Sequence, residues 1–313
     1  MSSQPFNASA VTGIVALPDW TLLRAHGADA ATFLQGQLTQ DVLGLQEGEV
    51  RLSGYCSAKG RLWASFVIWR LGAEDFGLLC SADIAATVRK RLSMYVLRAR
   101  CRIDDAGSDW AAFGLVGTAG ASVDAHAPAP WRARQQGPGW MLGLPAVEQI
   151  PRWLLVQPAS VPPPGLPALD VEAWRWLEAT SGVPRITAAT SEQFVPQMVN
   201  LELVGGVHFQ KGCYPGQEVV ARSQYRGTIK RRMHLFATTG SARPGQELFH
   251  SDDPAQPAGM VVNAAEAPGW GNRVLAEVKL AALEGGSLHL GSAAGPLLQR
   301  LALPYAVPDL AHA

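Results

Sequence analysis

Alternating and helical patterns of apolar residues divide the first half of the chain into strands and helices. Strands are predicted by alternating or continuous apolar runs at 19–26, 50–56, 61–70, 75–80, 99–104, 110–116, 138–144 and 152–157. Helices are predicted at 29–39 and at 83–97, where apolar residues recur at spacings of three and four. The segment 117–130 is rich in Ala, Gly and Pro and is expected to be a surface loop. This order predicts an α+β fold, with helices covering one face of a largely antiparallel sheet.

A Pro-rich segment and a later change of pattern mark the expected internal boundaries. PASVPPPGLP at 158–167 predicts a stiff joint between two lobes, and a helix is expected next, at 169–180. The rest of the chain is typical of a small β-barrel or sandwich, with strand-like runs at 233–238, 259–264, 272–282, 287–290 and 298–303. We therefore predict an α+β region over 1–230 and an all-β domain over 231–313.

Composition places the chain among compact globular proteins. It has 313 residues, 48% of them apolar and 17% charged, and its formal net charge is zero. This length allows about two domains. Its apolar runs are far shorter than the roughly 20 residues that cross a bilayer. The N-terminus also lacks the basic and apolar segments of an export signal, since its first Arg is Arg24. We expect a cytoplasmic monomer that does not contact membranes.

The four cysteines differ in their sequence settings. Cys56, Cys80 and Cys101 belong to strand-like runs, where a free thiol behaves as a small apolar side chain. Cys213 instead follows Lys211 in the turn-forming segment KGCYPGQE, residues 211–218, and a nearby cation raises the reactivity of a thiol. The wide spacing of the four excludes a CxxC metal site or a disulfide framework. Cys213 is therefore the candidate functional thiol.

A basic run, 222–232, follows this segment. It contains five Arg or Lys residues and no acidic one. A run of this kind is commonly a solvated surface. With Tyr225 it also has the residue types that bind nucleic acid, but the neutral net charge and the absence of a known binding motif argue against that partner. A nucleophilic pair of Cys213 with His208 also stays open. The seven His residues show no zinc-binding spacing, and no phosphate-binding glycine loop is present, so no metal site is predicted.

Glu178 lies in the last turn of the helix predicted at 169–180. A carboxylate there is disfavoured by the helix dipole unless another group compensates it. The sequence leaves two interpretations open, a solvent-exposed side chain and a ligand contact.

Three segments resemble a known family. FVPQMVNLELVGGVHFQKGCYPGQEVVARSQYRGTIKRRM (194–233) resembles the signature of the YgfZ family, which comprises folate-binding proteins related to the glycine-cleavage T-protein. ADAATFLQGQLTQDV (28–42) is similar to a helix of that superfamily's substrate domain, and YCSAKGRLWASFVIWR (55–70) to the hairpin that follows. The resemblance implies a ring of ferredoxin-like lobes with a C-terminal barrel. It also implies binding of tetrahydrofolate or a derivative, and a role in assembling or repairing iron-sulfur proteins.

The resemblance suggests roles for individual residues. Glu178 corresponds to the carboxylate that accepts hydrogen bonds from the pterin. Tyr214 is a candidate wall of the pocket or a buried packing residue, and Arg222 and Arg226 are candidates to bind the glutamyl tail or an acidic patch of a partner protein. Four residues of the central motif match the family and are expected at the folate site: Lys211, Gly216, Gln217 and Glu218. Cys213 is the expected functional thiol toward iron-sulfur client or carrier proteins.

The chain departs from the T-protein pattern at the hairpin. Trp63 and Ala64 occupy the positions where the aminomethyltransferases carry paired aspartates, so the acid/base carboxylate is missing. Pro215 also replaces the small hydroxyl residue that is more usual in the family motif. The favoured function is therefore a folate-binding accessory factor for iron-sulfur proteins. The alternative is a folate-dependent one-carbon transferase or demethylase with a different acid/base group.

Overall fold

The computed structural model describes residues 11–225 and 229–308. A five-stranded antiparallel sheet, here called sheet 1, occupies the N-terminal part in the spatial order β3-β4-β5-β2-β6. Its strands are β2 (Trp20–His26), β3 (Val50–Cys56), β4 (Leu62–Gly72), β5 (Asp75–Ser81) and β6 (Arg102–Asp105).

Two helices, α1 (Ala30–Gln35) and α2 (Ala82–Val96), cover one face of sheet 1. Their apolar side chains, including Leu34 and Val88, form a buried cluster with alternate residues of the strands, such as Leu23. The intervening strand residues point to the opposite face, as strand geometry requires. The predicted α+β arrangement of helices on one face of an antiparallel sheet is therefore confirmed.

A second five-stranded antiparallel sheet, sheet 2, has the order β1-β7-β10-β9-β8. Its strands are β1 (Gly13–Ala16), β7 (Trp110–Val116), β8 (Ala133–Gln136), β9 (Gly139–Val147) and β10 (Ile150–Pro158). A short helix, α3 (Ala119–Val123), lies within the segment that was expected to be a loop. The chain passes from sheet 1 to sheet 2 at residues 106–109, so the Pro-rich segment 158–167 follows sheet 2. There it lies along the edge strand β1, where Ile14 N donates to Pro167 O.

The largest core lies between the inner faces of the two sheets and includes helix α4 (Val171–Thr180). Asp170 caps this helix by accepting a hydrogen bond from Glu172 N at 2.8 Å. Trp174 is buried against Gly114 of sheet 2, where an added Cβ would lie 2.3 Å from the indole ring. This close approach requires glycine and fixes α4 against the sheet.

The C-terminal strands form a closed antiparallel barrel of order β11-β14-β13-β12-β15-β16. They are β11 (Arg231–Thr238), β12 (Glu247–His250), β13 (Asp253–Ala267), β14 (Gly271–Lys279), β15 (Leu288–Leu290) and β16 (Leu297–Leu301). The first strand begins at Arg231, where the all-β domain was expected to start. Trp270, in the β13–β14 turn, packs edge-on against Trp176 of α4 with ring centroids 5.2 Å apart, so the barrel adjoins the central core.

Three strands and one α-helix, besides α3, were not predicted from the sequence. Strands β1, β8 and β12 have four residues each, too few to show alternation clearly. Helix α5 (Gln217–Tyr225) buries only Val220, so it lacks the apolar periodicity that identifies a helix. Within the described residues, no helix combines the length and the apolar character needed to span a membrane.

Candidate functional site

Glu178 projects from the last turn of α4 into the space between sheet 1, sheet 2 and the barrel. A cavity of about 880 Å³ opens there, and its walls come from the β1–β2 turn, the start of α2, helix α4 and two barrel segments. A narrow slot of about 40 Å³ adjoins it between the two sheets. Glu178 and Arg185 line both spaces. They therefore mark the place where cavity and slot meet.

The slot is largely apolar. Its walls include two partly exposed indoles, Trp20 and Trp131, together with Leu52 and Val67 of sheet 1 and Leu154 of sheet 2. The cavity is instead rich in charged side chains. Its volume lies within the range of roughly 300–1,000 Å³ that small-molecule sites occupy.

Glu178 and Arg185 form an ion pair with little solvent exposure. Their Oε2 and Nη2 atoms are 3.5 Å apart, and the side chains are 14% and 12% exposed. Burial raises the pKa of Glu178 above its usual value, although the Arg185 guanidinium opposes this rise. Burial also tends to lower the pKa of Arg185, but the carboxylates of Glu178 and Asp19 outweigh it and hold this pKa above its usual value.

Asp19 accepts hydrogen bonds from two guanidinium groups at the cavity wall. Its Oδ2 is 2.9 Å from Arg185 Nη2 and 3.3 Å from Arg175 Nη2. Burial tends to raise the pKa of Asp19, but the two arginines outweigh it and hold the pKa below its usual range. Asp19 is therefore an ionised anchor and is poorly suited to donate a proton at neutral pH.

A second buried cation, Arg152 of β10, lines the slot. It is 3% exposed, and its Nε donates to Pro145 O at 3.0 Å. Burial lowers the pKa of Arg152 to about 10, with Glu178 opposing the change, so the side chain remains protonated at neutral pH. The slot thus carries one carboxylate and two guanidinium groups among apolar walls.

The hairpin strand β4 contributes no carboxylate to this site. Ala64 is buried in the core beneath the helices, and Trp63 stacks with Arg91, whose guanidinium carbon is 3.5 Å from the ring centroid. Ser65 is the residue of these three that lines the slot, where its Oγ accepts a hydrogen bond from Ile186 N at 2.9 Å.

The KGCYPGQE segment lies elsewhere, against α1 and the β3–β4 turn. Lys211 Nζ donates to Gln35 O and, at 2.5 Å, to Leu38 O, just beyond the end of α1. It also lies 5.3 Å from the ring centroid of Tyr214, which is buried. Burial lowers the pKa of Lys211 to about 8. Lys211 and Tyr214 therefore hold the segment to the protein body.

Gly216 allows the same segment to approach the β3–β4 turn. It has φ +77°, and an added Cβ would lie 2.3 Å from Ser57 O. Helix α5 begins directly afterwards with Gln217 and Glu218, and a carboxylate in a first turn is favoured by the helix dipole. Arg222 is exposed in the last turn.

Comparisons with known proteins show the family of the chain. Residues 8–126 match the model of the GCVT N-terminal domain. The chain is 33% identical over 262 residues to the tRNA-modifying protein YgfZ of Vibrio vulnificus, covering 78% of this chain and 77% of the relative. It is 34% identical over 235 residues to the protein of the same name from Serratia proteamaculans, covering 71% and 69%. The chain belongs to the YgfZ family.

A solved structure supports the fold that this family shares with the T-protein. The glycine cleavage system aminomethyltransferase T from Bartonella henselae superposes with a TM-score of 0.75 at 16% identity, covering 95% of this chain and 87% of that chain. The predicted T-protein-like α+β fold with a C-terminal β-barrel is therefore confirmed. At this identity the comparison concerns the fold alone.

The residues that the YgfZ resemblance singled out fall into two groups. Glu178 lines the cavity and the slot. The described residues of the second group do not line either space and lie around α5: Lys211, Cys213, Tyr214, Gly216, Gln217, Glu218 and Arg222. Arg226 lies outside the described residues. The structure therefore separates the candidate pterin carboxylate from the YgfZ signature segment.

Three charged residues of the cavity region were not predicted from the sequence. Asp19 and Arg185 lie in short connecting segments, so no periodic pattern marks them. Arg152 left a detectable signal, because a charge at an inward position of the apolar strand β10 is unusual. The YgfZ signature covers residues 194–233 and so contains none of these three residues.

The basic run 222–232 is not one solvated surface. Arg232 is buried, and its Nη1 pairs with Glu202. Arg231 Nη1 lies 2.7 Å from Glu277 Oε1. The interpretation of the run as a solvated surface therefore fails for Arg231 and Arg232, which pair with carboxylates of the protein.

The four thiols differ in exposure, and Cys213 is the exposed one. Cys56 and Cys80 are buried, as predicted, and burial raises the pKa of Cys56 to about 12 and also raises that of Cys80. Cys101 is partly exposed, and burial raises its pKa to about 11. His208 Nδ1 is buried without a hydrogen-bond partner in the described part of the chain, so it does not activate Cys213 through that atom.

We expect native protein to show one rapidly reacting thiol with Ellman's reagent at pH 8. Reaction requires an accessible thiolate, and Cys213 is the exposed thiol of the four, whereas Cys56 and Cys80 are buried and Cys101 is partly exposed. The Cys213→Ala variant should lose the rapid phase, and full reactivity of the other three should need denaturant. Two or more rapid thiols in native protein would contradict this assignment.

Proposed function

We propose that the protein binds tetrahydrofolate or a derivative in the cavity beside Glu178 and acts as an accessory factor for iron-sulfur proteins, with Cys213 as its functional thiol. The observation that carries the proposal is the position of Glu178. This poorly exposed carboxylate lies where an aromatic-walled slot meets a cavity of about 880 Å³.

The residues present suit the chemistry of a reduced folate. Its pterin presents adjacent N–H donors, which a carboxylate accepts in paired, charge-assisted hydrogen bonds. Glu178 supplies that carboxylate where the cavity and the slot meet. The ring binds on the cavity side of Glu178, because the slot holds about 40 Å³, enough for water alone. Trp20 and Trp131 line the slot on the other side of Glu178.

The arrangement favours binding over one-carbon transfer. Transfer from an aminomethyl donor requires a group that moves a proton at the reacting nitrogen. The polar side chain that strand β4 offers to the slot is Ser65, and Arg185 and Arg175 lower the pKa of the nearby Asp19, which makes its carboxylate a weak base. The one-carbon transferase remains the alternative because the T-protein fold itself supports that reaction class.

Cys213 is proposed to act on a partner protein. It is exposed and lies on a segment that does not line the cavity. Among residues 11–225 and 229–308, no group of three or more His, Cys, Asp or Glu side chains is arranged to hold a metal ion. An iron-sulfur cluster normally requires four protein ligands, so a partner would supply the others. Clients that are iron-sulfur enzymes of tRNA modification would also agree with the name of the relatives.

Ligand titration and a turnover assay test the two parts of the folate proposal. We expect calorimetric binding of tetrahydrofolate to purified protein, and the absence of binding at millimolar ligand would overturn the proposal. Formation of methylenetetrahydrofolate from an aminomethyl donor, with release of ammonia, would instead establish the transferase alternative.

A deletion strain tests the thiol. We expect Cys213→Ala to fold normally, because the side chain is exposed, and yet to leave the activities of iron-sulfur enzymes as low as in the deletion. Wild-type protein should restore them, and Cys101→Ala should restore them equally well as a matched control. Full restoration by Cys213→Ala would remove the thiol from the proposed function.

A further inference from the structure

The charges that line the cavity are mostly committed to partners within the protein. Glu172 Oε1 lies 2.6 Å from Arg175 Nη1, and its Oε2 accepts a hydrogen bond from Glu266 N at 3.0 Å. Asp83 Oδ2 accepts from Ala188 N at 2.9 Å. These bonds balance the acidic side chains, and Asp19 and Glu178 share the guanidinium of Arg185 in the same way.

Arg243 differs from the other two arginines of the cavity wall. It lies on the segment between β11 and β12, and its side chain is exposed to solvent. Arg175 and Arg185 each pair with carboxylates, whereas no carboxylate lies within 4.0 Å of the Arg243 guanidinium in the part of the chain that the structure describes. The neighbouring carboxylate of Glu266 accepts from Ser241 Oγ instead.

The two ends of the cavity therefore carry opposite charges, a carboxylate in the interior and a guanidinium at the rim. Its interior end has poorly exposed Glu178, which suits N–H donors, and its barrel side has an uncommitted guanidinium, which suits carboxylates. A reduced folate has the same polarity, with a donor-rich pterin at one end and one or more glutamyl carboxylates at the other. Guanidinium groups bind carboxylates in a bidentate manner.

We propose that Arg243 binds the glutamyl carboxylates of bound folate, and that the protein thereby prefers folates with several glutamates. This inference rests on the proposed folate binding. It assigns the tail to the barrel, whereas the sequence suggested Arg222 and Arg226. Arg222 projects from α5 and does not line the cavity, and Arg226 lies outside the described residues.

Three ligands that share one pterin test the assignment. Tetrahydropteroate lacks glutamate, tetrahydrofolate has one, and tetrahydropteroyltriglutamate has three. For wild-type protein we expect affinity to rise along this series by about fivefold for each carboxylate that is engaged, as for exposed ion pairs. The gain should shrink at high salt, because exposed charge pairs are screened.

Two exposed arginines provide matched variants. In Arg243→Gln the gain from the glutamates should vanish, while the affinity for tetrahydropteroate stays at the wild-type value. Arg222→Gln should retain the complete wild-type series. The assignment is overturned if Arg243→Gln keeps the preference or if Arg222→Gln loses it. If wild-type protein binds all three ligands equally, the assignment of Arg243 is wrong but the proposed folate binding stands. If none of the three ligands binds, the proposed folate binding itself is wrong.

Discussion

Replacement of Glu178 by Gln is expected to weaken tetrahydrofolate binding by about 10- to 100-fold. Each charge-assisted hydrogen bond contributes about 1.5–3 kcal/mol, and the amide of Gln would direct a donor at the donors of the pterin. The substitution keeps the size of the side chain, so the cavity retains its shape. Isothermal titration calorimetry with tetrahydrofolate measures the change directly.

A matched control separates this effect from a general change in the cavity. Glu172→Gln alters a carboxylate of the same helix and the same cavity, but one that serves Arg175 and the barrel backbone. We expect it to change the affinity by less than about threefold, in the range of an exposed ion pair. Equal losses in the two variants would remove Glu178 from pterin recognition.

The unfolding free energy of Glu178→Gln should change by less than about 1 kcal/mol. Arg185 keeps its 2.9 Å contact with Asp19 Oδ2 when Glu178 is lost, so its guanidinium is not left without a carboxylate. Urea denaturation of the unliganded variant checks this point. A normal stability together with a large loss of affinity would assign the effect to the ligand contact.

The raised pKa of Glu178 gives the same interaction a pH dependence. Burial favours the protonated form, which cannot accept both pterin N–H groups, so ligand binding competes with a proton at Glu178. Affinity should therefore fall as the pH is lowered toward this raised pKa, and the fall should begin above the usual titration range of a Glu side chain. This fall in affinity at low pH should be absent in Glu178→Gln. If the variant still shows it, the pH dependence belongs to another group.

Patterns of apolar residues predicted the helices and strands that are long enough to show them. The seven-residue strand β7 is a continuous apolar run and the 15-residue helix α2 has clear helical spacing, and their bounds agree with the prediction within about one residue. Short strands depend on distant partners. Gly13–Ala16 is a strand because it pairs with β7, about a hundred residues later, and no local pattern reports such pairing.

The candidate site shows the same limit more strongly. Glu178 was found through a family resemblance, but the charges around it come from a turn, a strand and a connecting segment that are distant in sequence: Asp19, Arg152 and Arg185. Only the packing of the two sheets on α4 brings them together. A concentration of polar and reactive side chains in the sequence did not identify the cavity, because the segment 211–218 that carries them packs against α1.

Arg232 demonstrates that a basic run does not report exposure. From sequence it was one of five cations in a run without acids, but it is 3% exposed beside Glu202, which is 4% exposed. The guanidinium Nη1 also donates to Gln197 O at 2.9 Å. Its carboxylate partner lies about 30 residues earlier, outside any window in which charge patterning is judged.

Replacement of Arg232 by Met is expected to lower the free energy of unfolding by about 3–5 kcal/mol. The variant leaves the carboxylate of Glu202 buried without its cation, and breaking a buried pair from one side typically has a cost of this size. The side chain of Met has similar length and fills much of the same space, so the loss reflects charge more than volume. Urea denaturation followed by Trp fluorescence measures it.

A double variant distinguishes an unpaired charge from lost packing. Arg232→Met with Glu202→Met removes both charges, and replacing a buried pair by apolar residues is often neutral or stabilising, so we expect it to recover at least half of the loss. Arg222→Met, in the same basic run but exposed, should leave the denaturation midpoint within error. If Arg232→Met behaved like Arg222→Met, the run would be the solvated surface that its sequence suggests, and the buried pair would not exist in solution.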